Sequence, residues 1–242
     1  MVKKTVLQTY SFREGLRDGL PIALGYLTVA FGFGLTAVQA GLYPLTALIL
    51  SLINETSAGQ TAGLSVIAAH GTLIEMALTQ FIINLRYALM GLSLSQKLND
   101  DFHTPQRLLV AFGITDEIFA VASAQEDRVS PVYMYGLILI SFLGWTLGTF
   151  FGAAAGQILP QSLTDAMGLV LYGMFLAIII PPARNNRVLA GVVVISMAAS
   201  LLFDKTPGLQ NISSGFRIII ITLIIAGIAA YFFPVKEAHH ES

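Results

Sequence analysis

The chain has no cysteine, one tryptophan and few charges: 13 Lys and Arg and 14 Asp and Glu in 242 residues. Without cysteine there is no disulfide, no thiol nucleophile and no thiolate metal site. A net charge of -1 gives no reason to expect a nucleic-acid partner. Charged residues make up 11% of the chain, against about 25% in a soluble domain. Long polar stretches are also missing, which leaves little room for a separate soluble module. There is no Gly-Xaa-Ser-Xaa-Gly elbow, no His-Glu-Xaa-Xaa-His and no Walker sequence. The expectation is a protein that is no enzyme and carries no cofactor, and ATP-driven work would need another subunit. A potassium-type filter sequence is absent as well. His239 and His240 have no partners at helical spacing, so no metal site is expected.

What remains is apolar: 55% hydrophobic residues and a mean hydropathy of +0.74. No Asp, Glu, Lys or Arg occurs from Gly19 to Asn54, or from Val129 to Thr164. Shorter uncharged runs cover Ala166–Ala183, Val188–Phe203 and Ile218–Val235. A helix needs roughly 20 mostly apolar residues to cross hydrocarbon about 30 Å thick. These runs predict an all-α, polytopic membrane bundle, with 1–242 as a single membrane transport domain. Residues 1–18 would be a cytoplasmic segment and 235–242 a tail. The N-terminal stretch does not read as a cleavable signal, because its apolar continuation is too long and lacks a small-residue cleavage site.

Full spans are expected at 19–39, 71–94, 132–157, 163–180, 188–203 and 216–233. Pro21 would lie in the first turn of the first span, where its missing amide proton costs little. Gly25, Gly32 and Gly34 would give that span thin patches for close packing. Gly144, Gly148, Gly152 and Gly156 recur every four residues and predict a tight helix–helix seam. Two further apolar elements, 45–69 and 108–123, have polar centres. The first reads as a re-entrant hairpin, a broken span or a continuous helix with a polar face, and the second as a re-entrant hairpin or a broken span. Unpaired backbone at membrane depth is tolerated only beside protein or water. The first two readings therefore place residues 54–61 and 113–118 outside regular helix and at one cavity. Thr104-Pro105 is expected to interrupt helix.

Lys3, Lys4, Arg13 and Arg17 favour a cytoplasmic N-terminus, and Lys97, Arg107, Arg184 and Arg187 place their loops on the same side. Those constraints require an even number of crossings between each pair of loops. Six full spans and two partial elements satisfy them, or seven to eight hydrophobic peaks. Asn54-Glu55-Thr56-Ser57-Ala58 faintly echoes Asp116-Glu117-Ile118-Phe119-Ala120, which suggests an inverted repeat.

An ionisable group in hydrocarbon costs at least about 2.5–3.5 kcal/mol. Glu55, Glu75, Arg86, Asp116 and Glu117 therefore need partners, an interface or a cavity. On a helix, Glu75, Thr79 and Arg86 share one stripe, and Gln80, Asn84 and Tyr87 a second. Glu75 and Arg86 are about 16 Å apart along such a helix and cannot pair with each other. Each is either structural or functional, and Glu75 also fits a position near an interface. Asp116 and Glu117 point about 100° apart, so they can do different jobs. Thr115 or Asp116 would cap a half-helix, and the other acid would face the cavity and bind a proton or an ammonium group. The plainer alternative is two acids bordering a loop. Gln60 and Asn84 combine donor and acceptor, which suits a zwitterion as well as interhelical hydrogen bonding.

Several segments resemble the AzlC-type large subunit of branched-chain amino acid exporters, over about 12–234. Phe12-Arg13-Glu14-Gly15 through Pro21 and Ala30-Phe31-Gly32-Phe33-Gly34 are similar to the family's opening. Phe112-Gly113-Ile114-Thr115-Asp116-Glu117-Ile118-Phe119-Ala120 is similar to its strongest motif. Asn84-Leu85-Arg86-Tyr87 resembles a segment in which Tyr87 stands in place of a histidine. Thr56 to Thr61 keeps the family's glutamine at Gln60, and Glu55 stands where an aromatic residue is more frequent. The resemblance implies export of leucine, isoleucine, valine and related amino acids together with a small AzlD-type hydrophobic membrane subunit. It also implies a multi-pass place in the inner or plasma membrane. On this reading Asp116 or Glu117 carries the proton or recognises ammonium, and Gln60 and Asn84 fix orientation. Arg86 holds carboxylate or locks the bundle, with Glu55, Tyr87 and Thr115 in the same substrate or coupling set. Phe31, Phe33 and Phe119 would meet the apolar side chain. An uncoupled channel or facilitator, or an assembly subunit that does not transport, is the alternative.

Overall fold

A computed structural model describes residues 10–156 and 186–233, with a few scattered positions between them. Nine α-helices occupy the described residues: α1 (Phe12–Gln39), α2 (Pro44–Ile53), α3 (Ser57–Ala68), α4 (Leu73–Ser95), α5 (Thr104–Phe112), α6 (Asp116–Ser123), α7 (Pro131–Gly156), α8 (Arg187–Lys205) and α9 (Ser214–Phe232). Among the described residues five are long and apolar enough to cross a membrane: α1, α4, α7, α8 and α9. The sixth expected span, 163–180, falls outside the described residues. The chain packs as two compact units, 1–61 with 84–171 and 62–83 with 172–242, so the boundary passes through α3 and α4.

In the first unit α1 begins at Phe12 rather than at Gly19. A capping box starts it early: Glu14 N donates to Ser11 Oγ at 3.3 Å, and Ser11 N donates to Glu14 Oε2 at 2.6 Å. Pro21 therefore lies in the helix interior, not in the first turn, and leaves a carbonyl one turn earlier without its amide donor. Helix α1 packs closely on α7. A Cβ at Gly15 would strike the Tyr133 carbonyl, and one at Gly34 the Thr149 carbonyl. From the other side, Gly144, Gly148 and Gly152 lie against the backbone of Ala23, Leu27 and Phe31. The expected glycine stripe is thus a seam, and its partner is α1. Gly25 takes no part, with nothing within 4 Å of its Cβ position, and Gly156 makes only ordinary contact.

Contact positions rise together along the two helices, so α1 and α7 run parallel. Parallel spans need an even number of crossings from the start of one to the start of the other. Helices α1 and α4 supply two. The elements α2–α3 and α5–α6 must therefore be alike: both return to the side they entered from, or both cross.

Each of these elements is a pair of short helices around a three-residue break. Gly41, at φ +89, turns the chain into α2, and Pro44 opens that helix. Residues 54–56 separate α2 from α3, and 113–115 separate α5 from α6. Only these residues leave helix. The wider expected breaks are too long, because threonine caps restart helix at Ser57 and Asp116. Thr104-Pro105 likewise opens α5 rather than interrupting helix. The five-residue sequence echo does not survive as a register: Glu55 precedes the capping threonine of α3, whereas Glu117 follows that of α6.

In the second unit Asn186 caps α8, its Oδ1 accepting from Val188 N at 2.9 Å and Leu189 N at 3.1 Å. Arg217 pairs with Asp204 and donates to Gln210 O at 2.9 Å, which holds the turn between α8 and α9. Glu75 is 2% exposed and lies in the first turn of α4. Its Oε1 accepts from the Ser213 hydroxyl and, at 3.0 Å, from Gly215 N. The carboxylate thus caps the first turn of α9, where orphan amides and the helix dipole favour an anion. An apolar groove of about 480 Å³ lies along α8 and α9, lined by Val192, Ile195, Ile225 and Phe233 among others.

Candidate functional site

The two helix breaks meet in the first unit. At the first, Thr56 restarts the helix: its Oγ1 accepts from Gly59 N at 3.4 Å and its carbonyl from Gln60 N at 2.8 Å. At the second, Thr115 does the same for α6, its Oγ1 accepting from Ile118 N at 3.3 Å. Both caps free the acidic residues beside them for other contacts.

A polar chain joins the breaks. Tyr87 of α4 shares a hydrogen bond with Thr56. Arg86 NH2 donates to the Tyr87 hydroxyl at 3.2 Å, and the guanidinium stands 5.0 Å from the ring centroid. Arg86 NH1 then pairs with Asp116 Oδ2 at 2.7 Å. This pair is half-exposed, with side chains 46% and 47% accessible. Asn84 lies half-buried on the same stretch of α4.

Deeper in the unit, Tyr26 Oη of α1 lies 2.5 Å from Thr115 Oγ1 and 2.6 Å from Glu117 Oε2. A phenol has one proton, and the carboxylate is the stronger acceptor, so Tyr26 donates to Glu117. Trp145 of α7, 3% exposed, meets the Tyr26 ring edge-on at 5.0 Å. Glu55 lies within electrostatic range of both Glu117 and Tyr26. It is 8% exposed, and neither carboxylate oxygen has a hydrogen-bond partner.

On another side of α3, Gln60 Nε2 donates to Ser51 Oγ at 2.8 Å, and Ser51 shares a 2.6 Å hydrogen bond with Thr149 of α7. Gln60 is 3% exposed and its Oε1 is unpartnered.

Of the residues singled out in the sequence, Glu55, Arg86, Tyr87, Thr115, Asp116 and Glu117 come together at the junction. Gln60 belongs to the neighbouring Ser51–Thr149 network. Phe33, 1% exposed, belongs to the core, whereas Phe31 and Phe119 are half-buried. Tyr26, Ser51, Thr56, Thr149 and Trp145 were not foreseen. Lone hydroxyls in apolar helices carry little signal, because Ser and Thr can satisfy themselves on their own backbone. Tyr26 had a detectable one: a phenol amid an uncharged run needs a buried partner. Among the described residues no group of three or more His, Asp or Glu side chains is arranged to hold a metal ion.

The arrangement offers acceptors to a cation, two helix N-termini to an anion, and one half-exposed arginine. The family model described as "AzlC protein" matches residues 21–159, more than half of the chain. The inner membrane protein YgaZ of Escherichia coli is 32% identical over 79% of this chain and 85% of its own length. A membrane protein of Archaeoglobus fulgidus is 32% identical over 75% of this chain and 80% of its own. One from Helicobacter pylori is 26% identical over 70% and 76%. No solved structure matches significantly.

Proposed function

The chain belongs to the AzlC family of membrane proteins, and on that premise we propose that it is a secondary transporter exporting branched-chain or related amino acids. The observation that carries the reading is the junction itself. Two helix breaks of the first unit are tied by Thr56, Tyr87, Arg86 and Asp116. Broken helices that bring their N-termini to a polar site are how many secondary transporters hold a zwitterion at depth.

The caps define a division of labour. The amide ends of α3 and α6, with Arg86, suit the substrate carboxylate. Glu117, held by Tyr26, suits the ammonium group. Transport is coupled to the proton gradient and proceeds with the N-terminus in the cytoplasm; labelling of a cysteine introduced beside Arg184 only from the outside would reverse that orientation. The site works with a small AzlD-type hydrophobic subunit in the cell membrane. The open apolar faces of α8 and α9 support such a partner as well as lipid.

Proteoliposomes containing the full-length chain, with and without such a subunit, test the reading with labelled leucine. A pH gradient is expected to drive leucine accumulation. Leucine that only equilibrates would favour an uncoupled facilitator, and no flux with the subunit present would point to an assembly role.

A further inference from the structure

The sequence points to Asp116 and Glu117 as the coupling acids, but the geometry gives both of them other work. Asp116 is neutralised by Arg86 at 2.7 Å, and Glu117 accepts from Tyr26 at 2.6 Å. Glu55 is different. It sits between the end of α2 and the cap of α3, 8% exposed, with neither oxygen hydrogen-bonded.

An ionised carboxylate cannot stay buried without hydrogen bonds or a counter-charge, because the desolvation cost exceeds what a fold tolerates. The charged and titratable groups around Glu55 do not supply one. Glu117 from α6 is an acid, and Tyr26 from α1 turns its proton to Glu117. Arg86 from α4 is engaged with Asp116, and Tyr87 with Arg86 and Thr56. Two acids in electrostatic contact, one of them already held by a phenol, retain a single negative charge most readily.

We infer that Glu55 is the residue that carries the coupled proton: it is protonated when the site is closed to water, and it releases the proton when the break opens. This rests on the transport reading above and sharpens it. Protonation needs no further reagent: water on one side supplies the proton to the carboxylate and water on the other side receives it. Glu55 stands in the break itself. It lies outside regular helix, before the threonine that anchors α3, so α3 can keep its cap while Glu55 changes its surroundings.

Two measurements on the full-length protein test the assignment. The first does not depend on transport. Infrared difference spectra across a pH titration are expected to show a protonated-carboxyl carbonyl band that Glu55→Gln removes and Glu117→Gln leaves in place. No such band in the wild type, or a band that survives Glu55→Gln, overturns the inference whatever the protein transports. The second uses leucine in liposomes. Glu55→Gln is expected to keep leucine counterflow within about twofold of wild type while losing at least tenfold in accumulation driven by a pH gradient. Glu55→Asp is expected to restore part of it. Wild-type accumulation by Glu55→Gln would overturn the inference. So would loss of counterflow together with accumulation in folded protein, or wild-type accumulation driven by a sodium gradient instead. If the wild type moves no leucine but the infrared band behaves as described, the substrate reading fails and the proton assignment stands.

Discussion

Helices α1 and α7 on one hand, and α8 and α9 on the other, are all apolar spans, yet they are built on opposite plans. In the most apolar window of α1, 44% of residues are buried, and the same holds for α7. The corresponding shares are 0% for α8 and 6% for α9. Apolar content does not distinguish them; small residues in register do. Seven close glycine contacts, from Gly15 and Gly19 to Gly34 on α1 and from Gly136 to Gly152 on α7, bring two backbones together. Lipid tails are as apolar as leucine, so helices associate in a membrane through such close packing rather than through hydrophobicity. Gly191 and Gly227, on α8 and α9, have nothing within 4 Å of their Cβ positions. The lesson is that a largely apolar membrane helix can still present almost all of itself to something other than the described residues of its chain.

The largest expected effect breaks the first plan directly. Gly152→Leu places a side chain into the backbone of Phe31, which a packed pair cannot absorb. No monodisperse, folded protein is expected from purification in detergent. Gly191→Leu, in contrast, is expected to change stability by no more than about 0.5 kcal/mol, since the position is open. Thermal denaturation and gel filtration of the two variants side by side check this. Equal damage from both would mean that α8 is covered after all, and the contrast would be lost.

How far the sequence could be read follows from the same contrast. The glycine spacing announced the seam, and the two short apolar elements with polar centres announced the breaks, because both signals are local. The start of α1 was misplaced because its capping box lies in a charged stretch that hydropathy reads as loop. The partner of Glu75 was not foreseen either. Its neighbours along the chain do not reveal its hydrogen-bond donors, Ser213 and Gly215, which lie far away in sequence. The second unit holds α9 by a buried carboxylate on its N-terminus, where the first unit uses close packing. For the site, the acids of the second break were legible, but the assignment among them was not. That depends on which acid Arg86 and Tyr26 reach, and reach is a property of the fold.

Tyr26 ties the site to the packed pair, since it stands on α1 and leans on Trp145 of α7. Tyr26→Phe removes the hydrogen bond that this buried phenol donates to Glu117, worth about 1.5–3 kcal/mol when the acceptor is charged. A fall of several degrees in melting temperature is expected. Trp145 is the one tryptophan, so its fluorescence reports on this spot alone. The emission is expected to shift in Tyr26→Phe and in Glu117→Gln. The double variant should cost less than the sum of the two, as residues sharing one hydrogen bond do not act independently. Strict additivity, with unchanged emission, would detach the site from the α1–α7 pair.

A small stability effect belongs to the Arg86–Asp116 pair, a half-exposed part of the packed unit. Both side chains are about half-exposed, so solvent screens their attraction, and an ion pair of this kind contributes only about 0–1 kcal/mol. Asp116→Asn keeps the shape of the side chain and removes its charge. A melting temperature within about 2–4 °C of wild type is expected. Function should respond differently. With its counter-charge gone, Arg86 is free to hold an anion in the resting state, and leucine is expected to bind more tightly but leave more slowly. Equilibrium binding and counterflow on the same preparation separate the two: affinity should rise while the exchange rate falls. A large loss of stability would instead make the pair a structural tie between the two breaks. Unchanged affinity and exchange in a stable variant would remove Arg86 from the substrate path altogether.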